Sequence, residues 1–421
     1  MKILFIHQNF PAQFKHLAPA LVRQGHCVDI LTLARNKMAA GSEINTHTYV
    51  VERGSTPAIH PWISDMETKV IRAEAAFRAA LKLREGGYVP DLVIAHPGWG
   101  EAMFIKEVWP FTKLAIYCEF FYKSVGADVG FDPEFSKGDE DIACRLRLKN
   151  LNSFAHFDIA DAAISPTHWQ AGTYPEEFRR KISVIHDGID TRELTRSRSP
   201  TIYFTDLNGN KVTLTRDSEI ISFVNRNLEP YRGYHIFMRC LPTLLAARPN
   251  MRVIIIGGDN VSYGGRPNPA IFGNRSWKQI FIDEVRPLIS DTQWARIHFL
   301  GNLSYEQYKA ILSLSSVHVY LTYPFVLSWS LLEAMSLGCS VVASDTGPLK
   351  EVINDNENGL LVSFFDIDRI IDAVLRLLAD RALSKNIANA ARKTIVEHYD
   401  LRDVCLPKQL GWVNTLLYDA R

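Results

Sequence analysis

The sequence predicts two α/β domains in tandem, each on a mostly parallel sheet, and three observations carry that reading. At 421 residues the chain is longer than one ordinary core accommodates. Short β-rich runs alternate with stretches of helical spacing from the first residues onward, which is the pattern of βαβ units. The alternation lapses in the polar, Arg- and Ser-rich stretch "TRELTRSRSP" at 191–200 and then resumes, as at a linker.

Taken in order, "KILFIHQ" and "CVDILTL" are the first two strands, joined by "QFKHLAPALVRQGH", whose apolar residues fall on one helical face and whose end is marked by Gly25. A long helix follows at about 67–85, then the strand "DLVIAH", the strand "LAIYCEF", a helix at about 139–157, and "ADAAIS" and "KISVIHDGID". After the linker, "TIYFTDLNGNKVTLTRD" has Asn208 and Gly209 between two β-type runs, a hairpin signal. "EIISFVN", "MRVIIIGG", "RIHFLGN", "SVHVYLTY", "CSVVASD" and "NGLLVSF" then supply a second set of strands, with helices between most of them. The C-terminal stretch is helical in pattern, with breaks expected at Tyr399 and Asp400 and again near Pro407.

Composition excludes several classes. Lys and Arg total 47 against 46 Asp and Glu, so no overall field draws the chain to nucleic acid. The six cysteines are scattered without a C-x-x-C pair, which points to a reducing compartment and no zinc site. "MKILFIHQNFPAQ" reads as a first strand rather than a signal peptide, and no segment approaches the roughly 20 apolar residues that span a bilayer. A cytoplasmic protein is the expectation.

Open α/β sheets bind ligands at the carboxyl ends of their strands, so polar residues just after strands are the candidates. In "FVNRNLEPYRGYH", Arg226 and Arg232 follow a strand, with Gly233 allowing a close turn; two guanidiniums there suit a diphosphate. Gly257 ends the strand "VIIIGGDN" where backbone can approach a ligand, and Gly301 to Leu303 follow another strand where backbone groups can read a base edge. In "YPFVLSWSLLEAMSLG" a break containing Ser328, Trp329 and Ser330 leads into a helix whose first N–H groups favour phosphate. Glu333 then stands where an acidic side chain accepts from two ribose hydroxyls. A purely local reading competes with this, because Ser330 and Glu333 also have the spacing of a capping box.

These residues resemble the second domain of a GT-B glycosyltransferase of the large retaining group called family 4. Arg226 and Arg232 match the family's R-x5-K pair with Arg in place of Lys. Glu333 matches the second glutamate of its E-x7-E motif, and "VVASDTGPLKEVINDNENGLLV" and "ISVIHDGIDT" resemble the family's text. The resemblance implies two Rossmann-like domains facing across a cleft. The C-terminal helix would cross back, so that the domains run 1–195 with about 405–421, and 196–404. The sequence departs from the pattern at Phe325, where the first glutamate of the motif is expected, and at Glu119 in "LAIYCEFFY", where many members place a histidine. His96 in "DLVIAHPGWG" matches a histidine segment on the acceptor side. In "HQNFPAQF", Asn9, Phe10 and Pro11 stand where the family often has a glycine-rich acceptor loop, and His7 and Phe10 are read as acceptor contacts.

What the resemblance implies is transfer of a sugar from a UDP-, GDP- or ADP-sugar to a hydroxyl of a saccharide, lipid-linked or small-molecule acceptor, with retention and without a metal or other cofactor. The catalytic candidates are Arg226, Arg232, Glu119 and His96. The donor nucleotide would contact Arg226, Arg232, Gly257, Gly301, Leu303, Ser328, Trp329, Ser330 and Glu333, while His7 and Phe10 face the acceptor. Phe325 keeps alive a non-catalytic nucleotide-sugar-binding or scaffolding subunit, and a sugar-nucleotide epimerase is a third reading. The aromatic, Gly- and Pro-rich insertion at 262–279 is read as cleft rim. Basic residues on first-domain helices, among them Lys69, Arg72, Lys82, Arg84, Arg145, Arg147 and Lys149, suggest a peripheral membrane contact, against which stands an ordinary solvated face.

Overall fold

The structure is a computed structural model that describes residues 1–36, 43–136, 140–196, 201–205 and 209–418. The chain forms two compact units, Met1–Gly188 with Leu401–Arg421, and Ile189–Asp400.

The first unit holds β1 (Lys2–Ile6), β2 (Cys27–Leu33), β3 (Asn45–Tyr49), β4 (Leu92–Ala95), β5 (Lys113–Tyr117), β6 (Ala162–Ser165) and β7 (Ile182–Val184). They pair in parallel in the order β3-β2-β1-β4-β5-β6-β7. The strands are apolar at nearly every position because both faces are covered. Successive side chains go to opposite layers. Leu4, Ile6, Val93 and Ile116 pack with Ala76 and Ala80 of the helix Ser64–Glu85. Ile3, Phe5, Ile94 and Ala115 pack with Leu17, Ala18 and Leu21 of the helix Leu17–Arg23.

That second layer is completed from far along the chain. Val413 of the C-terminal helix Leu406–Tyr418 is fully buried in it, Lys113 Nζ donates to the Leu416 carbonyl at 2.6 Å, and Gln409 donates to the His186 carbonyl at 3.0 Å. The crossing expected of the last helix is thus present. Pro407 does not break that helix: a π-helical turn, Leu401–Cys405, runs straight into it with Pro407 as its second residue, the wider turn accommodating the ring and the missing N–H. The helix expected at about 139–157 is two, Ile142–Lys149 and Leu151–Ile159. Between them Asn150 keeps helical backbone angles, φ −72° and ψ −12°, and its side chain exchanges hydrogen bonds with both backbone groups of Tyr122 at 3.1 and 2.8 Å.

The second unit has β10 (Ile220–Asn227), β11 (Arg252–Gly258), β12 (Ile297–Gly301), β13 (Val317–Tyr320), β14 (Val341–Ser344) and β15 (Leu360–Val362), parallel in the order β12-β11-β10-β13-β14-β15. Before them β8 (Ile202–Thr205) and β9 (Lys211–Leu214) form an antiparallel hairpin. Its expected turn residue Asn208 lies outside the described residues. Phe223 stacks on Phe237 at 4.4 Å on one face of the sheet, while Ile220, Val224, Ile254 and Val341 pack on the other. The break between units falls at Gly188, before the polar stretch that reads as a linker. Residues of that stretch pack on the second unit: Ile189 N–H donates to the Tyr399 carbonyl at 2.8 Å, the Thr191 hydroxyl to Asp400, and Leu194 is 2% exposed. Both sheets share one order, in which the chain reverses direction between β1 and β4 and between β10 and β13. Those switch points are where open α/β sheets take their ligands.

Candidate functional site

In the second unit the switch point is furnished by the segments after β10 and β13. Arg226 is exposed at the end of β10. The chain then makes one tight turn, Pro230–Arg232, and leaves it through Gly233 at φ 71°, where a Cβ would stand 2.3 Å from Leu321 Cβ. Only glycine fits there. The turn drives Arg232 inward, to 5% exposure; Nη1 donates to the Thr322 hydroxyl at 2.7 Å, and the guanidinium lies 4.8 Å from the Tyr263 ring centre.

Glu229, fully buried beside it, accepts from the backbone N–H groups of Ser262, Tyr263 and Gly264 at 3.0–3.3 Å. Burial pushes this carboxyl up, and the three N–H groups and Arg232 oppose the rise. The start of the insertion at 262–279 is thereby fastened over Arg232. Gly257 is a close-packing glycine, since a Cβ there would be 2.8 Å from the Asn225 carbonyl. Gly301 has φ 65° and open space around it, and Leu303 packs on the core.

The helix Trp329–Ser336 begins at Ser328, which takes the Ser330 N–H at 3.3 Å. Ser328, not Ser330, is the cap, so Glu333 stands too deep in the helix to complete a capping box. Its carboxylate is held instead by two phenols: Tyr305 donates to Oε1 and Tyr308 to Oε2, both at 2.9 Å. Those tyrosines are three apart on the helix Tyr305–Leu314, hence on one face, and Ser304 with Gln307 caps that helix with a true capping box. Burial and the Glu333 charge push both tyrosine hydroxyls well above their ordinary range. A carboxylate accepts about four hydrogen bonds, so two hydroxyls still leave room for a ligand's.

Phe325 is 6% exposed, with its ring 5.3 Å from Tyr231 and 5.4 Å from Tyr263; Tyr323 stacks near Tyr231 at 4.8 Å. Where a carboxylate is expected, the chain has an aromatic cluster beside Arg232.

In the first unit the segments after β1, β4 and β5 bring together His7, His96 and Glu119. His96 is 2% exposed; Nδ1 accepts the Gly98 N–H at 3.1 Å, which leaves the proton of the neutral ring on Nε2, 3.6 Å from Glu119 Oε2. The Glu119 side chain is 46% exposed. Tyr117 stacks on the His96 ring at 5.4 Å and Trp99 packs at 4.9 Å. His7, 1% exposed, accepts from Asn9 N–H and lies 3.1 Å from Gln13 Oε1; burial, then the neighbouring His96, lower it to about 3. It is a neutral, fixed imidazole. Phe10 does not reach the acceptor side. It is 2% exposed, in the core under β1 with Phe5 at 6.2 Å, because an apolar ring after a buried strand folds back onto it.

The structure also reassigns basic residues. Lys69 is 7% exposed and paired with Asp65, and Lys149 lies over the Tyr122 ring at 3.7 Å, so neither faces a bilayer. Among the described residues no helix is long and apolar enough to cross a membrane. Sequence reasoning missed Glu229, Tyr263, Thr322 and the Tyr305–Tyr308 pair. Of these, the two tyrosines spaced by three after a capping box in "LSYEQY" were the one readable signal.

The family model for the glycosyl transferase family 4 group matches residues 24–194, and that for glycosyl transferases group 1 matches 207–394. An uncharacterized glycosyltransferase of Methanocaldococcus jannaschii is 26% identical over 416 residues, 95% of this chain and 94% of that protein. Phosphatidyl-myo-inositol mannosyltransferase of Mycolicibacterium smegmatis is 29% identical over 191 residues, 44% of this chain and 42% of that protein. Among solved structures, Anabaena HepE in complex with UDP superposes with a TM-score of 0.64 at 16% identity, covering 99% of this chain and 100% of that one.

Proposed function

We propose, from the premise that this chain belongs to the family 4 glycosyltransferases, that its second unit binds a nucleoside-diphosphate sugar and its first unit the acceptor hydroxyl. The observation that carries this reading is Glu333, a carboxylate fixed by Tyr305 and Tyr308 on the helix Trp329–Ser336, one turn beyond the helix's N-terminal end. That pairing suits two vicinal ribose hydroxyls on the glutamate and a diphosphate on the helix start. The solved complex of HepE with UDP supports the same donor class.

In the reaction the bond from the anomeric carbon to the diphosphate breaks, and a bond to the acceptor oxygen forms on the same face of the sugar. Negative charge grows on the leaving diphosphate. Arg226, Arg232 and the helix dipole stabilise it as fixed positive groups, without a metal. Arg232 uses one of its N–H groups on Thr322 and keeps others for phosphate oxygens. The acceptor proton passes to the departing phosphate oxygen or to Glu119, which is exposed and faces His96 Nε2.

Thermal unfolding with UDP, GDP and ADP in the presence of a chelator tests the donor half. A ligand at about 100 times its dissociation constant adds roughly 2.7 kcal/mol. A shift with one nucleotide supports the reading and names the base. No shift with any, or a shift only after metal is restored, overturns the metal-free diphosphate site. NMR of the product's anomeric proton then checks retention.

A further inference from the structure

At the carboxyl ends of β2 and β3 the first unit has a recess of about 400 Å³, distinct from the residues assigned above. Three guanidiniums line it: Arg35 after β2, Arg53 after β3, and Arg72 on the helix Ser64–Glu85. Glu52 is the one carboxylate among its lining residues. Arg53 is paired with Glu67 at 3.3 Å, but that carboxylate is also occupied by Thr56, whose N–H and hydroxyl donate to it at 2.8 and 2.5 Å. Arg72 donates to the Thr68 carbonyl, and Arg35 has no ion pair among the described residues. Three cations and one carboxylate therefore line the recess in a chain whose net charge is +1; Arg53 is paired with a second carboxylate outside the lining, and among the described residues Arg35 and Arg72 have no acidic partner within ion-pair distance.

Behind the recess, the Tyr49 hydroxyl donates to Glu101 Oε1 at 2.8 Å, and Glu101 Oε2 is buried without a partner among the described residues. Burial raises the Glu101 carboxyl, while its own backbone, the Tyr49 hydroxyl and the charges of His96 and Arg72 oppose the rise. Arg35 and Arg72 both act electrostatically on the Tyr49 hydroxyl.

We infer that this recess binds a phosphoryl group carried by the acceptor. Three arginines lining one small concavity suit the several oxygens of a phosphate ester, each oxygen able to accept from a separate guanidinium. The recess also lies at the same sheet edge as the proposed reacting groups. β2 and β3 are two and three strands from β4, and three and four from β5, so at about 4.8 Å per strand the phosphate would sit roughly 10–20 Å from His96 and Glu119. An acceptor with a few sugar units between its phosphate and its reacting hydroxyl has that length. Calling the ligand an acceptor rests on the proposed function; the phosphoryl site itself does not.

The test is a titration of the whole protein with inorganic phosphate, against sodium chloride of equal ionic strength, with any stabilising nucleoside diphosphate present at saturation. The expected result is a phosphate-specific rise in unfolding temperature, and an affinity about tenfold weaker in Arg35→Gln/Arg72→Gln, with nucleotide stabilisation unchanged. Arg35→Gln alone, at an exposed position, gives the same comparison at smaller amplitude if the double variant folds poorly. A phosphate response equal in variant and parent, or matched by chloride, overturns the site. If no nucleotide stabilises the protein, the proposed function fails while the phosphate titration still decides this inference. Sedimentation with phosphatidylcholine vesicles containing phosphatidate identifies the source: arginine-dependent pelleting means a lipid phosphate, and phosphate binding without pelleting means a soluble phosphate ester.

Discussion

The second unit clamps Glu333 between two tyrosine hydroxyls at 2.9 Å, whereas the first unit leaves Glu119 46% exposed with a buried imidazole 3.6 Å behind it. Both carboxylates follow from the same sheet order at corresponding edges, so the difference lies in what surrounds them. A carboxylate that only accepts hydrogen bonds from a ligand gains from being held still. One that exchanges a proton, or follows a moving atom, needs access and some freedom. The same contrast extends to the imidazoles: in the first unit burial lowers His7 to about 3 and His156 and His186 to about 4, while in the second His318 falls to about 4.

Acid should separate the units most. A histidine whose folded pKa is depressed binds fewer protons folded than unfolded, so stability is full above about 6.5 and is lost as pH falls toward the folded value. Each such group is worth on the order of 3 kcal/mol when the loss is complete. With three of the four, the first unit should lose hydrogen-exchange protection before the second between pH 6.5 and 4. Equal loss in both units would break the contrast.

Among substitutions, Glu119→Gln should lower kcat by about 100-fold or more, the usual scale for removing a proton-transfer group, while nucleotide-dependent stabilisation stays put. If turnover survives, Glu119 is an ordinary strand-end carboxylate. Glu333→Gln should act oppositely, weakening nucleotide binding about 10- to 100-fold, as for lost hydrogen bonds to a charged group, with a smaller change in unfolding temperature. Equal nucleotide affinity would leave Glu333 a packing residue. Smallest, Tyr308→Phe and Tyr305→Phe should each raise the donor KM several-fold, at about 1 kcal/mol per hydrogen bond, with Tyr308 the larger because it is more buried. No KM change in either would remove the clamp from the donor site.

Much of this was legible because continuous β-branched runs announce buried parallel strands, and because ligand-binding side chains in such sheets follow strand ends. Arg226, Arg232 and His96 were read as candidates that way, and Glu119 through the family resemblance. Partner choice was not legible. Nothing local tells Glu333 that its partners sit 25 and 28 residues upstream, or Glu229 that it will hold backbone 33 to 35 residues away. Those pairings are set when strands take their places in the sheet. Phe10 and Pro407 misled for a related reason: each was read by residue type, when burial and helix position decided its role.

The return of the helix Leu406–Tyr418 to the first unit has a consequence for biosynthesis. Val413 fills a layer begun by Leu17 and Leu21, so the first unit to leave the ribosome is the last to finish its core. At ordinary elongation rates the residues between Gly188 and Leu401 take on the order of 10–40 s to make. For that interval the apolar face awaiting the helix stays open, and a nascent chain stalled anywhere in the second unit would present it to chaperones and proteases.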